Sequence, residues 1–170
     1  MQRKLDSVDI AILRELQSDG NITNVELSRR VGLSAPPCLR RVRALENDGI
    51  ITAYRAVLNP KSLGFEVVSF AMVQLNSQGK ADLDAFQEAI SNLPTVRRAW
   101  SLSGETDFLL FCVSPNLTAF QEFVLNLTGL PNVRVVRSAL CLEHVKDEPF
   151  VPLDKVQGAK PASETPGTRP

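Results

Sequence analysis

Five arginines and no acid occupy the stretch from Ser28 to Arg43, at positions 29, 30, 40, 41 and 43. Each arginine ends in a planar, permanently charged fork of N–H donors. That fork can grip a phosphate or bond the two acceptors on the major-groove edge of guanine, so the cluster offers the chemistry of nucleic-acid recognition. The plainer alternative is a solvated charged face, which is what most charge runs are. The chain balances 19 Lys and Arg against 19 Asp and Glu, but residues 1–64 hold ten basic and seven acidic side chains, and residues 65–170 hold nine and twelve. The positive excess therefore travels with the arginine cluster.

Other chemistries find little support. His144 is the only histidine, and no nucleophile–base pair, Gly-rich phosphate loop or metal-ligand spacing is present, so catalysis, a metal and a cofactor are not expected. Asp82 and Asp84 stand at a helix start, where the helix dipole explains them without chemistry. Cys38, Cys112 and Cys141 are odd in number and far apart. They read as reduced, buried small hydrophobes rather than a disulfide framework. Aromatic residues make up only 6% of the chain, against the aromatic-bearing sheets of common RNA modules. The sequence has no apolar run of about 18 residues. "MQRKLDSVDIAILREL" carries charges where a signal peptide needs an apolar centre, so a cytoplasmic protein with no membrane partner is expected.

The elements that would position the arginines are three short helices. Leu5, Val8, Ile12, Leu13 and Leu16 recur at helical spacing, with Asp6 or Ser7 as cap and Gly20 after the end. "TNVE" (Thr23–Glu26) matches a capping box and opens a second helix carrying Val25, Leu27 and Val31. Gly32 suits a turn with positive φ, and the third helix runs from Ser34 to about Asn47 before Gly49. This is a helix-turn-helix. On the third helix Cys38, Leu39, Val42 and Leu45 form the inward side, Pro36, Arg40, Arg43, Ala44 and Asn47 the outward side, and Arg41 the flank. The second helix of such a motif lies in the major groove of double-stranded DNA with its N-terminal residues near base edges. Pro36 and Pro37 fit a first turn, whose N–H groups lack intrahelical partners. They also remove the two donors that a Ser34 cap would use, so a conventional Ser34 cap is not expected. Their rings can form a stiff apolar tip toward thymine methyls or sugars, or they can simply start the helix.

After Gly49, "IITAYRAVL" alternates like a strand, and "NPKSLG" (Asn59–Gly64) is a turn-rich connector. The second half holds an internal repeat: "LDAFQEAI" returns as "LTAFQEFV", and "LPTVR" returns as "LPNVR". Each copy has a helix with an apolar stripe (Leu83, Phe86, Ile90, Leu93; then Leu117, Phe120, Val124, Leu127), with strand-like stretches before and after it. The order is the βαββαβ of a ferredoxin-like sheet with both helices on one face. "SGETD" joins the copies, with Gly104-Glu105 as a two-residue hairpin turn. The fold class is therefore α+β: a helix-turn-helix domain over 1–58, a linker over 59–64, a βαββαβ domain over 65–153 and a disordered tail over 154–170.

Taken together, "LDSVDIAILRELQSDG", "TNVELSRRVGLS", "CLRRVRALENDGIITAYRAVLNPKSLG" and "SGETDFLL" resemble the Lrp/AsnC family of leucine-responsive, or feast/famine, regulators over about residues 4–153. The resemblance implies a winged helix-turn-helix, and with it a sequence-specific DNA-binding regulator whose second domain binds an amino-acid effector, dimerises through its sheet and often assembles dimers into octamers. Carried onto this chain, the DNA-facing residues are Arg29, Ser34, Pro36, Pro37, Arg40, Arg41, Arg43 and Asn47. The effector would bind near Gly104, Glu105, Thr106 and Asp107, with Asp107 toward its amine and backbone N–H groups near Gly104 toward its carboxylate. Trp100 and Ser138 would add to the pocket wall. For Asp107 the alternative is ordinary turn chemistry, and for Trp100 simple packing. A rival reading keeps the amino-acid sensing and drops the DNA, as a metabolic scaffold.

Overall fold

The computed structural model describes residues 4–146, 148 and 151–156. They divide into two compact units, one built from the chain up to Val57 together with the chain from Lys146 onward, the other from Leu58–Val145.

In the first unit, α1 spans Ser7–Ser18, α2 Asn24–Arg30 and α3 Ala35–Asn47. Asp6 caps α1: its Oδ1 accepts from the N–H groups of Val8 (2.9 Å) and Asp9 (2.8 Å), and Asp9 Oδ2 takes the Asp6 N–H at 3.5 Å. This reciprocal pairing satisfies donors that a helix start leaves free. At α2 only half of the expected box forms. Thr23 Oγ1 accepts from the Glu26 N–H at 3.2 Å, while the Glu26 carboxylate is drawn instead to Arg29 and Arg30. Gly32, with φ 71°, turns the chain into α3, and Gly49, with φ 69°, ends it.

Ile10, Ile12, Leu13, Leu27, Cys38, Val42 and Leu45 form the buried core of this unit. Leu39 does not join them and is 37% exposed. It lies about 100° round the helix from Cys38, outside the stripe that Cys38, Val42 and Leu45 make. Burial raises the Cys38 thiol above its ordinary value. The segment expected as a strand after Gly49 makes no ladder, and residues 52–59 carry no regular secondary structure. Tyr54 instead turns back onto α3, its hydroxyl donating to Glu46 at 2.9 Å.

The expected boundary at residue 153 is also displaced. Leu153, in a 3-10 turn over Leu153–Lys155, is buried in the helical core with Val156 packed beside it, and Arg14 bonds Asp154 at 2.7 Å. An apolar side chain that completes the helical core assigns this stretch to the first unit rather than to the end of the second. Residues 157–170 of the expected tail lie outside the described residues.

In the second unit, "NPKSLG" forms a 3-10 turn over Lys61–Leu63 that ends at Gly64 with φ 80°. There follow β1 (Val67–Leu75), α4 (Lys80–Ser91), β2 (Val96–Ser101), β3 (Phe108–Ser114), α5 (Leu117–Thr128) and β4 (Val133–Leu140). The strands form one antiparallel sheet in the order β2-β3-β1-β4, which is the ferredoxin-like arrangement. Side chains alternate across a strand. Ala71, Val73, Leu75, Phe108, Leu110 and Cys112 meet Phe86, Ile90, Phe123 and Leu127 of the two helices in one core. Burial pushes the Cys112 thiol up to about 12. The second stripe differs from expectation at one end: Leu117 is 51% exposed, and Phe123 is buried.

The two kinds of cap give a direct expectation for stability. Thr23→Ala removes a bonded cap and is expected to cost about 1 kcal/mol in urea unfolding. Ser34 makes no side-chain cap bond, so Ser34→Ala is expected to change stability by only a few tenths of a kcal/mol.

Candidate functional site

The opening turn of α3 sets the geometry of the first candidate site. Ser34 sits at the cap position with extended backbone (φ −81°, ψ 158°), and its hydroxyl makes no cap bond because Pro36 and Pro37 occupy the positions whose N–H groups it would accept. Two other bonds hold this end. Cys38 N–H donates to the Ser34 carbonyl at 3.2 Å, and the Asn24 side chain of α2 donates to the Ala35 carbonyl at 2.9 Å.

Beyond that turn the five arginines have different fates. Arg40 and Arg43 are exposed and have no hydrogen-bond or ion-pair partner among the described residues. With Ser34, Pro36 and Asn47, also exposed, they make the outward face of α3, while Pro37 is half-buried. Arg29 and Arg30 both close on Glu26, at 2.7 and 2.8 Å, and Arg30 also reaches Glu15 at 2.9 Å. Their hydrogen bonds, that of Arg29 foremost, hold the Glu26 carboxyl at about 2 instead of its ordinary 4.5. Arg29 is thus paired within the chain at the helix surface, its side chain 73% exposed.

Arg41 departs furthest from the DNA-facing expectation. Its Nη1 lies 2.8 Å from Asp6 Oδ2 and 2.7 Å from Asp9 Oδ1, turned away from the outward face. The Asp6 carboxyl is lowered first by the Asp9 N–H and further by Arg41. The sequence signal for this pairing is "DSVD", of which only Asp6 is read as a cap and neither acid as a partner of a residue some thirty positions away.

The second candidate site is the connection between β2 and β3. The Leu102 N–H donates to the Asp107 carbonyl at 2.8 Å, leaving Ser103, Gly104, Glu105 and Thr106 as a four-residue loop in place of the expected two-residue turn. Gly104 has φ 121°, a conformation that only glycine adopts freely. The backbone N–H groups of residues 103–106 have no acceptor among the described residues. Asp107 behaves otherwise. It is only 5% exposed, and its carboxylate is engaged within the chain: Oδ2 accepts from the Leu75 N–H at 2.7 Å and Oδ1 from Gln78 Nε2 at 2.8 Å. The Leu75 N–H faces the β3 side and needs this acceptor because the β1–β3 ladder ends at Val73 and Phe108.

Trp100 and Ser138 are not brought together. Trp100 lies on β2, paired with Leu109, and Ser138 on β4, paired with Ala71, at opposite edges of the sheet. Three strand spacings, roughly 14 Å, separate those edges. On the face away from the helices, Phe70, Met72, Leu109, Phe111 and Val113 make a half-buried apolar patch, with the Phe70 and Phe111 rings 5.5 Å apart. Arg98 and Arg137 pair with Phe111 and Met72 and flank that patch. His144 is exposed after β4, and among the described residues no group of His, Cys, Asp and Glu is placed to hold a metal ion. Nor is any described helix long and apolar enough to cross a membrane.

A sequence profile of winged helix-turn-helix DNA-binding domains matches residues 5–52, and a profile of the Lrp/AsnC ligand binding domain matches residues 68–151. The chain is 56% identical over 145 residues to the leucine-responsive regulatory protein of Rhizobium meliloti, a match spanning 85% of this chain and 93% of that one. It is 40% identical over 145 residues to the protein of that name from Escherichia coli K12, across 85% and 88% of the two chains. Among solved structures, the L-Met complex of a transcriptional regulator from Neisseria meningitidis aligns with a TM-score of 0.85 at 38% identity, over 89% of this chain and 98% of that one. An AsnC family transcriptional regulator from Agrobacterium tumefaciens aligns with a TM-score of 0.82 at 34% identity, over 88% and 98%.

The depressed Glu26 carboxyl has a consequence in acid. Its ion pairs contribute stability in full above pH 4.5, and that contribution fades as pH falls toward about 2. In urea unfolding across this range, the stability difference between the natural chain and Glu26→Gln is expected to shrink steadily as the pH is lowered.

Proposed function

The chain belongs to the Lrp/AsnC family of transcriptional regulators, and on that premise we propose that the outward face of α3 reads DNA while the loop between β2 and β3 receives the carboxylate of an amino-acid effector. Its activity is regulation through sequence-specific DNA binding modulated by an amino acid, not catalysis. The observation that carries the DNA reading is the freedom of Arg40 and Arg43, which no described acid neutralises, beside three arginines that acids do engage. A guanidinium already neutralised within the chain has less to gain from a phosphate or a guanine edge than one with open donors. Pro36 and Pro37 then give α3 a rigid apolar tip at the groove, and Ser34 and Asn47 bound the contact surface. Arg29, with its exposed side chain, can reach a phosphate only at the expense of its bond to Glu26.

Four unclaimed N–H groups around a left-handed glycine form a concave cradle of partial positive charge, the backbone arrangement that binds carboxylates and phosphates. Glu105 and Thr106 rim this cradle. Asp107, occupied by Leu75 and Gln78, serves it by fixing the loop to the sheet, and any contact with an effector amine would have to share those oxygens. Trp100 and Ser138, at opposite edges, could wall one pocket only if a second copy supplied one of them. The Neisseria neighbour was solved as an L-Met complex, which supports an amino acid as the class of ligand.

The apolar face around Phe70 and Phe111 fits a second copy of the same sheet. A dimer so formed presents two α3 helices to half-sites spaced by one or more helical turns, roughly 34 Å each. Further assembly of dimers into octamers would give the effector a surface that differs between assembly states, which a ligand needs if it is to shift their balance. DNA binding of this kind calls for a cytoplasmic location.

Fluorescence anisotropy with the DNA upstream of the protein's own coding sequence tests both sites. Arg40→Gln and Arg43→Gln are each expected to weaken binding by about 10- to 100-fold, either lowering the salt slope by about one phosphate contact or relaxing a base preference. Gly104→Val is expected to abolish the response of the complex to amino acids. Full binding by both arginine variants would overturn the DNA assignment, and a retained response in Gly104→Val the effector assignment.

A further inference from the structure

We propose that Arg41 is a positioning residue for DNA recognition, a latch that fixes α3 against the first turn of α1 and does not itself touch DNA. The inference rests on the assignment of α3 as the groove-reading helix.

Counting about 100° per residue from Cys38, Arg40, Arg43, Asn47 and Pro36 all fall on the side opposite the core. Arg41 falls about 60° from Cys38, at the margin of the buried stripe and on the side away from exposed Leu39. From there its guanidinium meets the two acids at the start of α1, and the four carboxylate oxygens divide their work. Asp6 Oδ1 and Asp9 Oδ2 take backbone N–H groups of the helix cap, while Asp6 Oδ2 and Asp9 Oδ1 take Arg41 Nη1. The cap of α1 and the attachment of α3 are therefore one assembly. Asp9 makes the attachment hard to release, because its side chain is only 2% exposed and a carboxylate at that depth requires a cation. An Arg41 swung outward to a phosphate would remove one.

The opening of α3 needs such an anchor. Its first turn lacks two N–H donors and a side-chain cap, so its orientation depends on the Asn24 bond to Ala35, the apolar side and Arg41. A single nitrogen serves both acids, which is point-charge chemistry that a lysine ammonium can reproduce.

The test measures operator affinity of the full chain against salt concentration for Arg41→Gln, Arg41→Lys, Asp9→Asn, the Arg41→Gln/Asp9→Asn double variant, Arg43→Gln and Arg14→Gln. A latch predicts that Arg41→Gln and Asp9→Asn each weaken binding about tenfold with the salt slope unchanged, and that the double variant is no weaker than either. Arg41→Lys should stay within about threefold of the natural chain and keeps the test open if the glutamine variant fails to fold. Arg14→Gln, which removes the bond to Asp154, should lower the melting temperature without lowering the affinity of the folded protein. The latch is overturned if Arg41→Gln reduces the salt slope by about one contact, or if Asp9→Asn, by releasing Arg41, tightens binding. Unchanged binding by Arg43→Gln would instead remove the groove-helix assignment, and the positioning role with it.

Discussion

Pro36 and Pro37 leave α3 without the two backbone donors on which a helix start ordinarily closes, and its attachment to the rest of the helical unit makes up for that deficit. The other two helices of the unit carry a bonded side-chain cap, from Asp6 and from Thr23. α3 begins on an uncapped serine and is held from outside by Asn24, Arg41 and the burial of Cys38, Val42 and Leu45. What the prolines return is stiffness. Their fixed φ removes conformational freedom from a turn that would otherwise have to be ordered on binding.

The same economy governs charge. Five arginines with no acid between them have the look of one basic surface, but the acids of α1 and α2 divide it. Glu26 and Glu15 gather Arg29 and Arg30 into a network on the helix surface, Asp6 and Asp9 draw Arg41 inward, and Arg40 and Arg43 are left facing solvent. For the proposed DNA contact, two free guanidinium groups at fixed spacing would give register as well as attraction, because they can satisfy a groove in fewer orientations than five dispersed ones.

In the sheet unit the decisive detail is again a carboxylate turned toward the backbone. Asp107 supplies the acceptor that Leu75 lacks past the end of the β1–β3 ladder and pins the start of β3, while the N–H groups of the loop before it have no acceptor among the described residues. For the proposed effector site this means a rigid base beneath the loop, since donors that must be ordered on binding weaken it.

The sequence by itself determined whatever depends on short-range pattern: five helices and four strands in order, the stripes that bury Phe86, Ile90, Val42 and Leu45, the positive φ at Gly32 and Gly104, and the failure of Ser34 to cap. These follow from periodicities and backbone chemistry within a few residues, which a linear reading sees directly. Tertiary structure alone decided that Arg41 belongs to Asp9, that Trp100 and Ser138 stand at opposite edges, that Leu153 closes the helical core, and that the segment after Gly49 makes no ladder among the described residues. Each of those outcomes depends on which distant group arrives beside the side chain or strand. In the sheet that is settled by topology, since the crossovers put β1 and β3 at the centre and send β2 and β4 to the edges. In the helical unit it is settled by burial, since Asp9 at 2% exposure takes the nearest available cation whatever role the linear arginine cluster implies.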